Sequence, residues 1–268
     1  MEKFKKIIWI IALIIILVLI GVVCMGYYKN ATMEVKRPIA TMEVENFGTV
    51  KMELYPEYAP QTVANFITLA NRGFYNGLTF HRIVKDFMIQ GGDKNGDGTG
   101  SATIKDLKDD GEDTNYSIKG EFIANGVENK LQFEEGTLAM ARSDYTSYSS
   151  TLKEESYNSG SSQFFIVTAK NTSLNGQYTS FGKVIEGMDV VHKIEEVEVK
   201  AADTSSTEET SANTEVSTPV NPPKITSITV ETNGVDYGLP ETLTPFDYTS
   251  WLYKQYGIDP SSFSTTGK

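Results

Sequence analysis

Residues Phe80-His81-Arg82-Ile83-Val84-Lys85-Asp86-Phe87-Met88-Ile89-Gln90-Gly91-Gly92-Asp93 set one arginine and one glutamine among phenylalanine and methionine. Successive side chains of a strand point to opposite faces, so Phe80, Arg82 and Val84 share one face and His81 and Ile83 the other. Taken alone, an arginine there reads as a rim salt-bridge partner. His81 faces away from Arg82 and reads as a hydrogen-bonded structural histidine rather than a general base. Other sources of chemistry fall away on inspection. Asp93-Lys94-Asn95-Gly96-Asp97-Gly98 copies the first half of a calcium loop, but Ile104 stands at the twelfth position, where a bidentate glutamate is needed, and no flanking helix is expected. The many serines lack a G-x-S-x-G elbow, so Ser-His-Asp hydrolysis is unsupported. The chain holds one cysteine, Cys24, and two histidines, His81 and His192. That leaves no disulfide, no cysteine-based metal cluster and little basis for a histidine site, so no metal and no cofactor are expected. His192 lies in an expected helix with no partner in view.

Short elements must position these residues. Alternation predicts strands at 39–45, 49–55, 78–84, 87–90, 136–141, 163–168, 180–184 and 224–232, the first two joined by a tight hairpin at Asn46, Phe47 and Gly48. A helix is expected from Pro60, with Val63, Phe66, Ile67 and Ala70 on one face and Gly73 as its stop; a second spans Gly187 to Val197. Eight strands and two helices predict a mainly β fold, a closed barrel capped at its ends. Residues 201–223 contain no Lys or Arg and many Ser, Thr and Pro, the composition of a solvated loop. Strand 224–232 returns after it, because a single strand cannot bury its apolar side alone.

The chain has 268 residues and a net charge of −11, which argues against nucleic-acid binding, since phosphate neutralisation requires clustered Lys and Arg. A 40% hydrophobic content is enough for a real core. Residues 1–6 form a basic segment, and 7–25 carry no charge over a length that suits a transmembrane helix. Val22 and Val23 before Cys24 fit neither an A-x-A cleavage site nor a lipoprotein signal well, so an uncleaved anchor is expected, with a degenerate lipobox at Cys24 as the alternative. Lysines ahead of the span place the N-terminus in the cytoplasm and the remainder outside: a membrane-anchored, extracytoplasmic domain. Residues 26–37 read as a linker.

The stretch from Phe80 to Asp93 closely resembles the signature F-H-R-x-x-x-x-F-M-x-Q-G-G-D of the cyclophilin-type peptidyl-prolyl cis-trans isomerases at every fixed position. The likeness continues through Gly98-Thr99-Gly100, Gly120-Glu121-Phe122, Gly136-Thr137-Leu138-Ala139-Met140-Ala141, Ser162-Gln163-Phe164-Phe165-Ile166, Leu174-Asn175-Gly176 and Phe181-Gly182-Lys183-Val184. It covers roughly 38–232 and is most similar to the bacterial envelope members of the family. It implies an eight-stranded cyclophilin-like barrel in which Arg82 is the catalytic arginine and Phe87, Met88, Phe165 and Leu174 form a proline pocket. Gln90 and Gln163 would orient Arg82 and the peptide, and Ala141 with the backbone of Arg142 would bind the residue before the proline. The implied partners are proline-containing unfolded or exported polypeptides. The rival function is a non-catalytic proline-peptide-binding chaperone or scaffold, against which the intact arginine argues.

Two positions depart from the family. Ser173 replaces a tryptophan, which should weaken cyclosporin-like ligands, and Tyr178 replaces a pocket histidine while keeping an aromatic wall with a polar tip. Insertions occupy 101–115, which is acidic, and 143–160, which is rich in Tyr and Ser and lies beside the expected groove. Residues 233–268 fall outside the resemblance. Thr244 as cap, Pro245, and Tyr248, Trp251, Leu252 and Tyr256 at helical spacing predict a short aromatic helix that ends at Gly257 and packs on the barrel, with docking to a partner, a second copy or the membrane interface as the alternative.

Overall fold

The computed structural model describes residues 36–200 and 217–257, together with Trp9, 14–16 and 18–22. It divides into two units, 1–36 and 37–268. In the first, 14–16 and 18–22 are helical with exposed side chains. Among the described residues no helix is long and apolar enough to cross a membrane, and most of the expected span 7–25 lies outside them.

The second unit is built on one eight-stranded sheet. Its strands are β1 (Ile39–Val44), β2 (Gly48–Leu54), β3 (Arg82–Val84), β4 (Met88–Gly91), β5 (Thr137–Met140), β6 (Phe164–Val167), β7 (Ser180–Glu186) and β8 (Ile225–Glu231), in the spatial order β3-β4-β6-β5-β7-β2-β1-β8. The hairpin between β1 and β2 forms where expected, with Asn46 at φ 64° in the left-handed region that asparagine tolerates. The helices are α1 (Pro60–Asn71), α2 (Ile104–Leu107), α3 (Lys153–Tyr157), α4 (Met188–Glu195) and α5 (Tyr248–Gln255).

The expected closed barrel is corrected: the sheet is a curled, open half-barrel with β3 and β8 as its ends. The physical reason lies in the strands that would meet. β3 is only three residues long, since Leu78 to His81 do not join it as expected. The segment that faces it carries Pro219, Pro222 and Pro223, which have no N–H to contribute to a ladder. Single backbone bonds bridge the gap instead: Gly77 N–H to Ile225 O (2.8 Å), Ile225 N–H to Leu78 O (2.8 Å), Phe80 N–H to Pro223 O (2.9 Å) and Ile83 N–H to Ser217 O (2.7 Å). Residues 217–223 therefore belong to this seam, a correction to their expected place in a solvated loop; 201–216 lie outside the described residues.

The main core fills the concave face. Val63, Phe66, Ile67 and Ala70 of α1 pack on inward residues such as Ile83, Ile89, Leu138, Phe164 and Ile166, and Phe66 meets Phe164 edge to face at 5.6 Å. β8 seals this core with Ile225, Ile228 and Val230 after pairing along the whole of β1. Ala59 has no side-chain cap to offer the N-terminus of α1. The buried carboxylate of Glu121 does that work, accepting Gln61 N–H at 3.0 Å, Thr62 N–H at 2.8 Å and the Thr62 hydroxyl at 2.7 Å.

Candidate active site

Cross-strand register assembles the site. Arg82 of β3 lies opposite Gln90 of β4, Gln90 opposite Phe165 of β6, and Phe165 opposite Ala139 of β5, so four side chains form one row across four strands. The next row on the same face is Val84, Met88 and Val167. Ile83, Ile89, Ile166 and Leu138 form the opposite, inward row. The period of two thus gives the sheet a second apolar cluster on its outer face, separate from the main core.

That cluster contains Met88, Phe133, Ala139, Phe165 and Val167, with Val84, Phe87, Ala141, Leu174 and Tyr178 packed against it. Phe165 stacks on Phe133 at 6.2 Å and meets Tyr178 edge-on at 5.9 Å. Phe133 was not legible from the sequence, because it sits in an irregular stretch ahead of β5 with no alternation to assign its face. Its backbone N–H donates to Asn175 Oδ1 (2.9 Å), which ties it to the short 3-10 turn that carries Leu174. Ser173, on the same turn, is exposed and its hydroxyl donates to Asn171 Oδ1 at 2.6 Å.

A polar chain runs along the edge of the apolar floor. Arg82 donates through one terminal nitrogen to Gln90 Oε1 (3.1 Å) and reaches Met88 Sδ at 3.6 Å. Gln90 Nε2 donates to Gln163 Oε1 (2.9 Å), and Gln163 Nε2 to the carbonyls of Gly98 (3.0 Å) and Gly100 (2.9 Å). Each amide accepts on one side and donates on the other, so the loop backbone fixes the direction of every dipole up to the guanidinium. The Gly98–Gly100 loop is held by Asp93, whose carboxylate accepts Asn95 N–H at 3.0 Å, and by Asp97, which accepts Thr99 N–H at 2.9 Å. The acidic groups of the half calcium loop serve the loop's own amides. Gly92, at φ +82°, turns the chain out of β4 so close to Ser162 O that a Cβ would collide with it.

Ala141 follows β5, and its N–H donates to Gln163 O at 2.9 Å. The Arg142 guanidinium lies over the Tyr178 ring at 4.4 Å and donates through Nε to Gln177 O (3.3 Å). All the expected site residues therefore meet on one face. His81 does not join them: it is 6% exposed, and neither ring nitrogen has a hydrogen-bond partner among the described residues, which corrects the expectation of a hydrogen-bonded histidine. Burial lowers its pKa below the ordinary histidine value. His192, expected without a partner, sits between Glu195 (3.1 Å) and Glu135 (2.7 Å), and these hydrogen bonds raise its pKa.

The profile of the cyclophilin type peptidyl-prolyl cis-trans isomerase/CLD family matches residues 39–230. The chain belongs to the cyclophilin-type peptidyl-prolyl isomerases. A peptidyl-prolyl cis-trans isomerase-like 1 of Rhizopus delemar is 38% identical over 159 residues, which are 59% of this chain and 81% of that protein. Isomerase ppi1 of Schizosaccharomyces pombe is 35% identical over 62% of this chain and 91% of its own length. Isomerase 9 of the same yeast is 39% identical, but the match spans 22% of that longer protein. Among solved structures, a cyclophilin-type isomerase of Cryptosporidium parvum aligns with a TM-score of 0.55 at 25% identity, covering 73% of this chain and 97% of its own. A second structure of such an isomerase from that organism, in the presence of the dipeptide Ala-Pro, aligns with a TM-score of 0.54. These cyclophilins are fungal and protozoan.

Proposed function

We propose that this cyclophilin accelerates rotation about X-Pro bonds in unfolded or newly exported polypeptides, with Arg82 stabilising the twisted amide. The carrying observation is the row of Arg82, Gln90, Phe165 and Ala139, which puts an oriented guanidinium at the margin of an apolar floor. Rotation about a peptide bond faces a barrier of ~18 to 20 kcal/mol because conjugation must be lost. In the twisted state the prolyl nitrogen becomes pyramidal and its lone pair accepts a hydrogen bond that the planar ground state accepts poorly. A donor held there by Gln90 and Gln163 binds the transition state better than the substrate. Differential binding of ~4 to 7 kcal/mol corresponds to a thousand- to hundred-thousand-fold acceleration.

Phe87, Met88, Phe165 and Leu174 grip the ring, Phe133 backs Phe165, and Tyr178 and Arg142 border the groove on the side of Ala141. The Ala-Pro dipeptide accompanying the related Cryptosporidium protein supports a proline-containing ligand here. The exposed Ser173 offers no indole, so cyclosporin-like ligands should bind weakly. The uncharged run 7–25 after Lys3, Lys5 and Lys6 supports a membrane-held isomerase with its catalytic domain outside. A protease-coupled assay on an X-Pro tetrapeptide tests the activity: saturable acceleration is expected, and peptide binding without acceleration would favour the scaffold reading. Membrane fractionation followed by external protease tests the placement.

A further inference from the structure

We propose that the C-terminal segment, which lies beyond the family match, builds a wall of the substrate groove and makes it select a hydrogen-bonding side chain N-terminal to the X-Pro pair. This inference rests on the isomerase reading above. A cavity of about 410 Å³ opens beside Gln90, Ala141 and Gln163, continuing the groove away from Arg82. Pro245 and Phe246, together with Tyr145 of the 143–160 insertion, line it as well. Phe246 and Tyr145 pack ring on ring with centroids 4.9 Å apart, so two segments outside the shared barrel meet over the same hollow.

The wall is fastened rather than merely adjacent. Leu243 and Ser117 exchange both backbone hydrogen bonds (2.8 and 3.0 Å), and Glu241 N–H donates to Gln61 Oε1 at 2.7 Å. Beyond the wall, Tyr148 of the insertion contacts Tyr248 of α5 at 4.4 Å, and Trp251 lies 6.4 Å from Phe246. Phe246 is thus held by Tyr145 of the insertion and by Trp251 of the helix that follows it.

The rest of the lining sets the chemistry. Ser101, Asn115, Ser117, Ser143 and Ser159 contribute hydroxyl and amide groups, and Arg142 contributes the one charged side chain among the lining residues. An aliphatic side chain seated there strips water from those groups without replacing its hydrogen bonds, whereas an amide of equal size replaces them. Glutamine and leucine are therefore the discriminating pair.

The test measures kcat/KM of the full chain on tetrapeptides Gln-Ala-Pro-Phe, Leu-Ala-Pro-Phe and Ala-Ala-Pro-Phe. Taking ratios within each protein cancels any general loss of activity. The wild type is expected to prefer Gln over Leu by about fivefold or more, and Phe246→Ala, which opens the wall, to reduce that preference below about twofold. Phe246→Trp fills the cavity instead and is expected to lower the Gln peptide against the Ala peptide. A wild-type preference below about twofold, or ratios unchanged in both variants, would overturn the proposal. If the wild type accelerates none of the peptides, the isomerase reading fails. Calorimetric affinities for the same peptides then decide the wall, which stands if Gln binds more tightly than Leu in the wild type but not in Phe246→Ala.

Discussion

At the scale of single residues, Arg82 is set by its neighbours. In the proposed mechanism, removing its guanidinium takes away a transition-state contact, and its place on the outer face of the sheet leaves the core beneath untouched. Arg82→Ala is therefore expected to lower turnover at least about tenfold, or ~1.4 kcal/mol of barrier, with circular dichroism and melting unchanged. Arg82→Lys should recover little, because an ammonium lacks the planar fork that Gln90 orients. Wild-type turnover in either variant would remove Arg82 from the mechanism. The two histidines give a second readout. His192, stabilised in its charged form by Glu195 and Glu135, should titrate above the ordinary value near 6.5, and buried His81 below it. The raised His192 contributes stability that is present below its unfolded pKa and lost as pH rises through the folded one. The depressed His81 contributes stability that is present above its unfolded pKa and lost as pH falls toward the folded one. Imidazole NMR titration checks both directions, and with only two histidines in the chain the assignment is direct. The resemblance of Phe80 to Asp93 to the family signature made Arg82, Met88 and Gln90 legible in sequence; strand alternation by itself gave Arg82 a face but read it as a rim salt-bridge partner. Phe133 and Glu121 were not, since one lies in irregular chain and the other acts on a helix sixty residues away.

At the scale of elements, every predicted strand exists because period-two patterns survive even in short runs, and the ends moved where tertiary partners decide them. β3 lost Leu78 to His81, of which Leu78 O receives Ile225 N–H at the start of β8 and Phe80 N–H donates to Pro223 O just before it. The C-terminal helix starts after Asp247, which caps it by accepting Ser250 N–H at 3.0 Å, and not after Thr244. Tyr248 at its start and Phe246 ahead of its cap meet the insertion tyrosines Tyr148 and Tyr145, where packing on the barrel itself was expected. Nothing in the pattern of an amphipathic helix names the surface it will cover. The seam yields a prediction in which the two arms differ by five residues. Deleting 204–214 spares Ser217 to Pro219 and should leave the melting temperature within about 2 °C. Extending the deletion through Pro219 removes the carbonyls that receive Ile83 N–H and Lys200 N–H. At ~1 kcal/mol per bond the melting temperature should fall by roughly 4 to 8 °C. Equal melting of the two deletions would show that the seam carries no stability.

At the scale of the whole molecule, the second unit depends on a contact between its extremes. β1 is flanked by β2 from the adjoining chain and by β8 from nearly two hundred residues later. Asn71 of α1 clasps the same late strand, accepting Val230 N–H at 2.8 Å and donating to Val230 O at 3.1 Å. A chain ending at Val199 would leave β1 an unpaired edge and open the core where Ile225, Ile228 and Val230 sit. It is expected to show no cooperative melting transition by calorimetry. A sharp transition near the wild-type temperature would make β8 an accessory strand.

The antiparallel register that puts Ile39 opposite Glu231 also brings the two entry points of the barrel to the same end of one strand pair. Under tension applied through the chain ends, load falls on the β1–β8 hydrogen bonds one rung at a time, as in a zipper, rather than on the whole ladder in shear. In an optical trap the segment from Glu241 to Gln255 should detach first. The β1–β8 rungs should then open from Ile39 and Glu231 inward at forces well below those needed when the same domain is pulled from Ile39 and Ile225, at opposite ends of the pair.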